Sequence, residues 1–448
     1  MAWTKTKIVT VAGVIVLVSV TVPVVMTRPS ANVVKGPDGR IAKLERYEFQ
    51  TGRVRYELPP ASLWQRLAVK LPDVVKKRMN FPKPVMTAIA IPRDPGEPML
   101  SAAFSWQINS NYARVGIARL AVADDQGNEF DPVVQGTAGF ADFERTQSWV
   151  GELPVFPRRG QEMYLRVMSA KNLVAEFKIP NPAPGPHPTW NAEPLPLSST
   201  DGDLEATMAK FRAYQTSAET AERESRYPRT ECVFVCQEDN RKTVAWLPVS
   251  FDVSDATGNH WRSHPDSRYS GTEDGEVRSG FLGALWSGES AWKIGVEFRR
   301  VAEFPESELL RISRIRVPAA DEFYEPRTQY QWNGANVEVG VVIGTNVDWD
   351  RIHQFNVDRK RGCITVALTG RILSRNRRLT FLAATDQQGR AVNLAAPVNE
   401  PGIRSDGTSR PYSFIFEVPE GAQELNMVVA VSQSRFVEFL AKPEQIKE

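Results

Sequence analysis

Two cysteines and two histidines form the sharpest chemical pattern in the chain. Cys232 and Cys236 lie four positions apart, and His260 and His264 follow with the same spacing. Thiolate and imidazole are ligands that suit zinc. The local pattern argues against a shared ion. Cys232-Val-Phe-Val-Cys236 reads as strand, and four strand positions cover about 13 Å, too far for two ligands of one ion or for a mutual disulfide. The 23 residues between Cys236 and His260 also exceed the spacing of a standard finger, about 12. Two ordinary buried strand cysteines are therefore expected, with no metal and no other cofactor. Cys363 is a third thiol, so the three cannot all pair within one chain.

Three weaker constellations follow. Asn346, Asp348 and Asp350 alternate next to His353. Alternation on a strand would align three oxygen ligands for a cation, but Asx-rich turns carry the same residues, and a turn is expected. Asp266, Glu273, Asp274 and Glu276 form an acidic loop without calcium-loop spacing. Trp246, Trp261, Trp286 and Trp292 cluster in sequence. Exposed, they would stack on sugar rings or a partner; buried, they would fill a core, and core is expected. The chain has no G-x-S-x-G elbow, Walker loop, H-E-x-x-H or G-x-G-x-x-G motif.

The elements that would position these residues are strands. Val337, Val339 and Val341 alternate with Asn336, Glu338 and Gly340, the period of a strand with one buried face. Val244–Val253, Trp292–Phe298, Cys363–Leu368, Tyr412–Val418 and Leu425–Val431 are further strands by composition. Asp203–Phe211 suits either helix or strand, and its place relative to the repeat described next favours strand.

A D-x-x-G phrase recurs at Asp124 to Gly127, Asp255 to Gly258 and Asp386 to Gly389, each 131 residues from the last. Residues 118–127 moved by 262 positions match Leu382, Ala383, Asp386, Gln388 and Gly389. The same shift pairs Glu162 with Glu424, Val167 with Val429, Glu176 with Glu438 and Phe177 with Phe439. The phrase suits a hairpin turn, with Asp bonding backbone groups and Gly taking φ > 0. Short strands and turns in blocks of about 100–130 residues point to an all-β chain of three tandem β-sandwich-like domains.

The amino-terminal region differs. Ile8 to Met26, through Val16 and Leu17, is an uncharged run of 19 residues after Lys5 and Lys7, close to bilayer thickness as a helix. It reads as a single uncleaved transmembrane anchor binding membrane lipid. Arg28, Lys35, Arg40, Lys43 and Arg46 follow it and favour a cytoplasmic body by the positive-inside rule. The short basic tail before the run favours export, and an extracytoplasmic body is expected. Residues 1–85 carry a net charge of +10. Within them Leu63, Trp64, Leu67, Leu71, Val74 and Val75 form a helical stripe beside Arg66, Lys70, Lys76 and Lys77, expected to pack on the first domain.

The expected organisation is an anchor at 1–31, a basic juxtamembrane segment with short helices at 32–83, and a sandwich at 84–180. A spacer at 181–198 follows, with sandwiches at 199–320 and 321–448. The spacer rests on 7 prolines between Pro180 and Pro196, which make an extended linker. A net charge of +2 over the whole chain speaks against nucleic acid as a partner.

Three phrases together resemble uncharacterised, membrane-anchored β-rich proteins of verrucomicrobial-type bacteria. They are Trp3-Thr-Lys-Thr-Lys7; Leu285-Trp-Ser-Gly-Glu-Ser-Ala-Trp292 with Val296-Glu-Phe298; and Arg435-Phe-Val-Glu-Phe-Leu-Ala-Lys-Pro443. The resemblance implies a membrane anchor and an all-β body and brings no activity. The expected role is a non-enzymatic binding or envelope-structural protein whose partner is an envelope protein or polysaccharide. The alternatives are an envelope hydrolase or metalloenzyme using the middle domain, and a membrane-bound regulatory partner.

Overall fold

The computed structural model describes residues 32–35, 41–51, 53–57, 87–91, 98–107, 119–126, 128–130, 140–141, 146–169, 172–215, 229–332, 335–355, 357–358, 360–369, 377–396 and 411–447. The run holding Ile8, Val16, Leu17 and Met26, the basic stripe from Leu63 to Lys77, and Gly127 lie outside the described residues. The fold is all-β. Among the described residues the α-helix is the single turn Trp349–Ile352. No helix there is long and apolar enough to cross a membrane. The chain divides into two compact units, Met1–Gly185 and Pro186–Glu448.

The first unit holds two larger sheets. One runs in the order Asn32–Lys35, Ile41–Thr51, Pro98–Gln107, Thr146–Leu153, Phe140–Ala141. The other runs Asn172–Pro180, Glu162–Ser169, Arg119–Ala123, Glu129–Phe130. Their apolar faces meet where Phe104 of the first lies 5.6 Å from Phe177 of the second. Arg53–Glu57 and Thr87–Ile91 form a separate two-stranded sheet.

The second unit holds two further pairs of sheets. In the middle pair, one sheet runs Leu197–Asp201, Leu204–Gln215, Arg229–Glu238, Glu276–Leu282, Gly271–Glu273. Its partner runs His260–Ser263, Trp246–Asp255, Trp292–Arg300, Arg435–Ala441. Alternate large residues from both sheets fill the layer between them. Phe234 lies 5.2 Å from Phe298 and Phe251 lies 4.6 Å from Phe281. The Asp203–Phe211 segment is strand from Leu204 on, as its place relative to the repeat suggests, and the strand ends at Gln215.

In the last pair, one sheet runs Phe323–Tyr324, Ala335–Ile343, Ile364–Thr369, Tyr412–Glu417, Asn393–Leu394. The other runs Leu309–Arg316, Glu424–Gln433, Arg377–Asp386. Val337 and Val339 are buried, as the alternation predicts, together with Val366, Phe414, Met427 and Val429. A bulge between Val339 and Val341 turns Val341 into a second cluster on the outer face with Val347 and Ile352.

Sheet membership departs from sequence order in two places. Leu309–Arg316 was expected in the 199–320 block, yet it pairs with Glu424–Gln433. Arg435–Ala441 was expected in the 321–448 block, yet it pairs with Trp292–Arg300, and Glu444–Lys447 pairs in parallel with Leu204–Gln215. These pairings cross the expected 320/321 boundary in both directions, and Pro186–Glu448 is one compact unit. The proline segment is docked at both ends. Asn181, 4% exposed, donates its Nδ2 to Pro157 O and Gly160 O. Further on, Glu193 N–H donates to Leu440 O, and Ser290 Oγ donates to Trp190 O.

Candidate functional site

The three Asp turns form one hydrogen-bonded motif. Each aspartate donates its N–H to the carbonyl four residues on, in Asn128, Asn259 and Arg390. Each Oδ1 accepts two backbone N–H groups. These are Gln126 and Asn128 at 3.0 and 2.8 Å, Thr257 and Asn259 at 2.9 and 3.1 Å, and Gln388 and Arg390 at 2.9 and 2.9 Å. Each Oδ2 accepts from the side chain at the fourth position: Asn128 Nδ2 at 2.7 Å, Asn259 Nδ2 at 2.8 Å and Arg390 Nε at 2.6 Å. Gly258 and Gly389 take φ of 89° and 80°, the left-handed region where a Cβ is costly.

Asp255 and Asp386 are almost fully buried. Burial opposes ionisation of Asp386, but bonds from Arg390 and Gln388 outweigh it and lower its pKa. The fourth-position partner was not read from the sequence. Its signal is an Asn or Arg directly after the glycine.

The Cys/His set does not assemble. Cys232 and Cys236 sit on Arg229–Glu238 with buried side chains. Burial pushes the Cys232 thiol strongly up and the Cys236 thiol to about 12, far from a metal-binding thiolate. His260 Nε2 lies 2.6 Å from Asp252 Oδ1, and Arg262 meets the same carboxylate at 2.7 Å. These contacts, His260 first, hold Asp252 down to about 2 against burial. His264 Nδ1 faces Val249 O at 3.0 Å. Among the described residues no group of three or more His, Cys, Asp or Glu is placed to hold a metal.

The other constellations also resolve into framework. Trp246, Trp261, Trp286 and Trp292 are all buried. The space lined by Thr230, Trp261, Phe281 and Trp292 has no room for a water molecule. Asn346, Asp348 and Asp350 form a turn and the start of a short helix, with Asp348 Oδ1 accepting Asp350 N–H at 3.2 Å. Asp266 caps a 3-10 turn and pairs with Arg268 at 2.6 Å.

One cluster has no local sequence signal. Arg300, its side chain 4% exposed, pairs with Glu238 and lies 3.7 Å from both Asp203 and Glu308. Its guanidinium lies over the Trp246 ring at 4.6 Å, and that of Arg435 lies 5.7 Å from the same ring. Arg435 also meets Asp203 at 2.7 Å. Burial raises the pKa of Glu308, Arg300 opposes this, and Asp203 and Glu238 reinforce it. The residues come from elements up to 232 positions apart, so periodicity and spacing cannot reveal the cluster. It can fix chain segments to one another.

Compared with known proteins, the chain matches no family model and no curated protein.

Proposed function

We propose that this chain is a membrane-anchored, non-enzymatic binding or envelope-structural protein. In this reading three tandem β-sandwich modules stand outside the membrane behind the helix formed by Ile8 to Met26. The observation that carries it is the threefold recurrence of one plan: a five-strand order facing a sheet that bears the same Asp turn. Tandem copies supply surface along a chain, and function must then lie in what that surface meets. The aspartates best placed for chemistry accept backbone N–H groups and so serve as framework. The resemblance to membrane-anchored β-rich proteins points the same way. Membrane lipid meets the helix, and an envelope protein or polysaccharide meets the modules.

The test is cell fractionation, with protease access to a tag placed on a flexible spacer after Glu448. The expected result is a membrane-bound chain whose tag is cut in spheroplasts with the inner membrane intact. Protection until that membrane is breached would overturn the outside placement. Reproducible turnover of any substrate by the purified full chain would overturn the non-enzymatic reading.

A further inference from the structure

The first sheet pair sets a reference for how a module ends. Two residues separate Glu162–Ser169 from Asn172–Pro180, and the second strand pairs back on the first. The residue before each turn aspartate supplies a common register mark. Ala123 pairs with Tyr164, Ser254 with Lys293 and Thr385 with Asn426. Tyr164 then pairs with Lys178, whereas Lys293 pairs with Leu440. Position 440 is 178 moved by 262, the offset between Asp124 and Asp386. The strand seated on the middle pair is therefore the last module's final strand, in the register a final strand holds in the first module. Reciprocally, Leu309–Arg316 follows Trp292–Arg300 in the chain and pairs with Glu424–Gln433.

Resting on the modular reading above, we infer that the middle and last modules have traded their final strands within one chain. Residues 435–447 thus form a strap that fastens the last module to the middle one. Packing agrees independently of register. Phe439 lies 5.9 Å from Phe234, as Phe177 lies 5.6 Å from Phe104, and both partners stand on the third strand of the facing sheet.

The connections show how the trade is made. Ten positions separate Val428 from Glu438, as they separate Arg166 from Glu176, so chain length alone would permit a hairpin. Instead only Ser434 separates Glu424–Gln433 from Arg435–Ala441, and the strand runs on into the neighbouring module. Residues 301–308 give the middle module's own last strand the length to travel. The crossing is held on both sides. Ser434 Oγ donates to Glu297 Oε1 at 2.7 Å, an oxygen that also accepts from Arg378. Arg300 and Arg435, at the two crossing points, share Trp246 and Asp203.

Disulfide trapping in the full chain distinguishes traded from untraded strands. The trade places Gly295 opposite Glu438 and Arg311 opposite Val428. By the first module's pairing of Arg166 with Glu176, untraded hairpins would place Gly295 opposite Arg311 and Val428 opposite Glu438. Directly opposed strand residues fall within disulfide reach. The Gly295→Cys/Glu438→Cys and Arg311→Cys/Val428→Cys variants should link within one chain on mild oxidation. The Gly295→Cys/Arg311→Cys and Val428→Cys/Glu438→Cys variants should stay reduced. The reverse pattern, or a Gly295–Glu438 link found only between chains, would overturn the inference. If Arg166→Cys/Glu176→Cys fails to link while the traded pairs do, the modular register falls and the strap stands.

Amide exchange supplies a second measurement should a pair fail to fold. Arg435→Ala should speed exchange about tenfold in 435–441 and 292–300 together and leave 172–180 unchanged. An effect on 435–441 and 424–433 that spares 292–300 would overturn the strap.

Discussion

The first unit ends its turn sheet with a hairpin, whereas the second unit ends the equivalent sheets with strands drawn from distant parts of the chain. Both solutions bury a phenylalanine against the facing sheet: Phe177 in one, Phe439 in the other. The difference lies in the course of the chain, which turns back after Ser169 in one case and runs on through Ser434 to another sheet in the other. A hairpin makes a sheet complete from contiguous sequence. A traded strand makes the stability of the middle pair depend on the last residues of the chain, and the ionic cluster around Arg300 lies where that dependence is anchored.

Truncating the two phenylalanines should separate these regions most strongly. Phe439→Ala and Phe177→Ala each remove a buried ring, at a cost of about 3–5 kcal/mol, measurable by denaturant unfolding of the full chain. Amide exchange should rise within 98–180 for Phe177→Ala. For Phe439→Ala it should rise across 197–300, far from the substitution in sequence. A purely C-terminal response would break the comparison.

Arg300→Ala should cost about 3 kcal/mol in the second unit alone, since it leaves Glu238 and Glu308 without their buried cation. An unfolding midpoint unchanged for the second unit would show the cluster to be idle. A smaller loss, about 1–2 kcal/mol, is expected for Asp255→Ala, which strands two buried N–H groups. Asp124→Ala, at an exposed turn, should cost less, and equal losses would refute burial as the difference between them.

The pH responses are the smallest. Glu308 has a raised folded pKa. Its contribution is therefore fully present below the unfolded glutamate value and is lost as pH rises through the folded one. Glu308→Gln should remove that slope from the second unit's stability profile. Asp252 behaves oppositely. Its folded pKa is held to about 2, so its contribution is present above the ordinary aspartate range and lost as pH falls towards about 2. The side chain is 44% exposed, so screening keeps this effect to a fraction of a kcal/mol. Asp252→Asn should flatten the acid limb slightly.

Much of the framework was legible before any coordinates. Val337 and Val339 showed their buried face by alternation, and the D-x-x-G phrase showed a turn because few other residues bond a backbone that way. Cys232 to Cys236 read as strand, and both thiols lie buried on Arg229–Glu238. Asn346, Asp348 and Asp350 suit a strand as well as a turn by residue type, and the expected turn is the one that forms.

Local chemistry was thus determined by the sequence itself: strand period, turn position, and the apolar character of the tryptophan-rich core. Tertiary structure alone decided which sheet each strand completes and that Arg300 and Arg435 meet over Trp246. The reason is range. Periodicity and turn propensity act over a few residues, whereas a strand edge accepts any partner of matching pleat. The choice among partners is made by packing between residues more than a hundred positions apart.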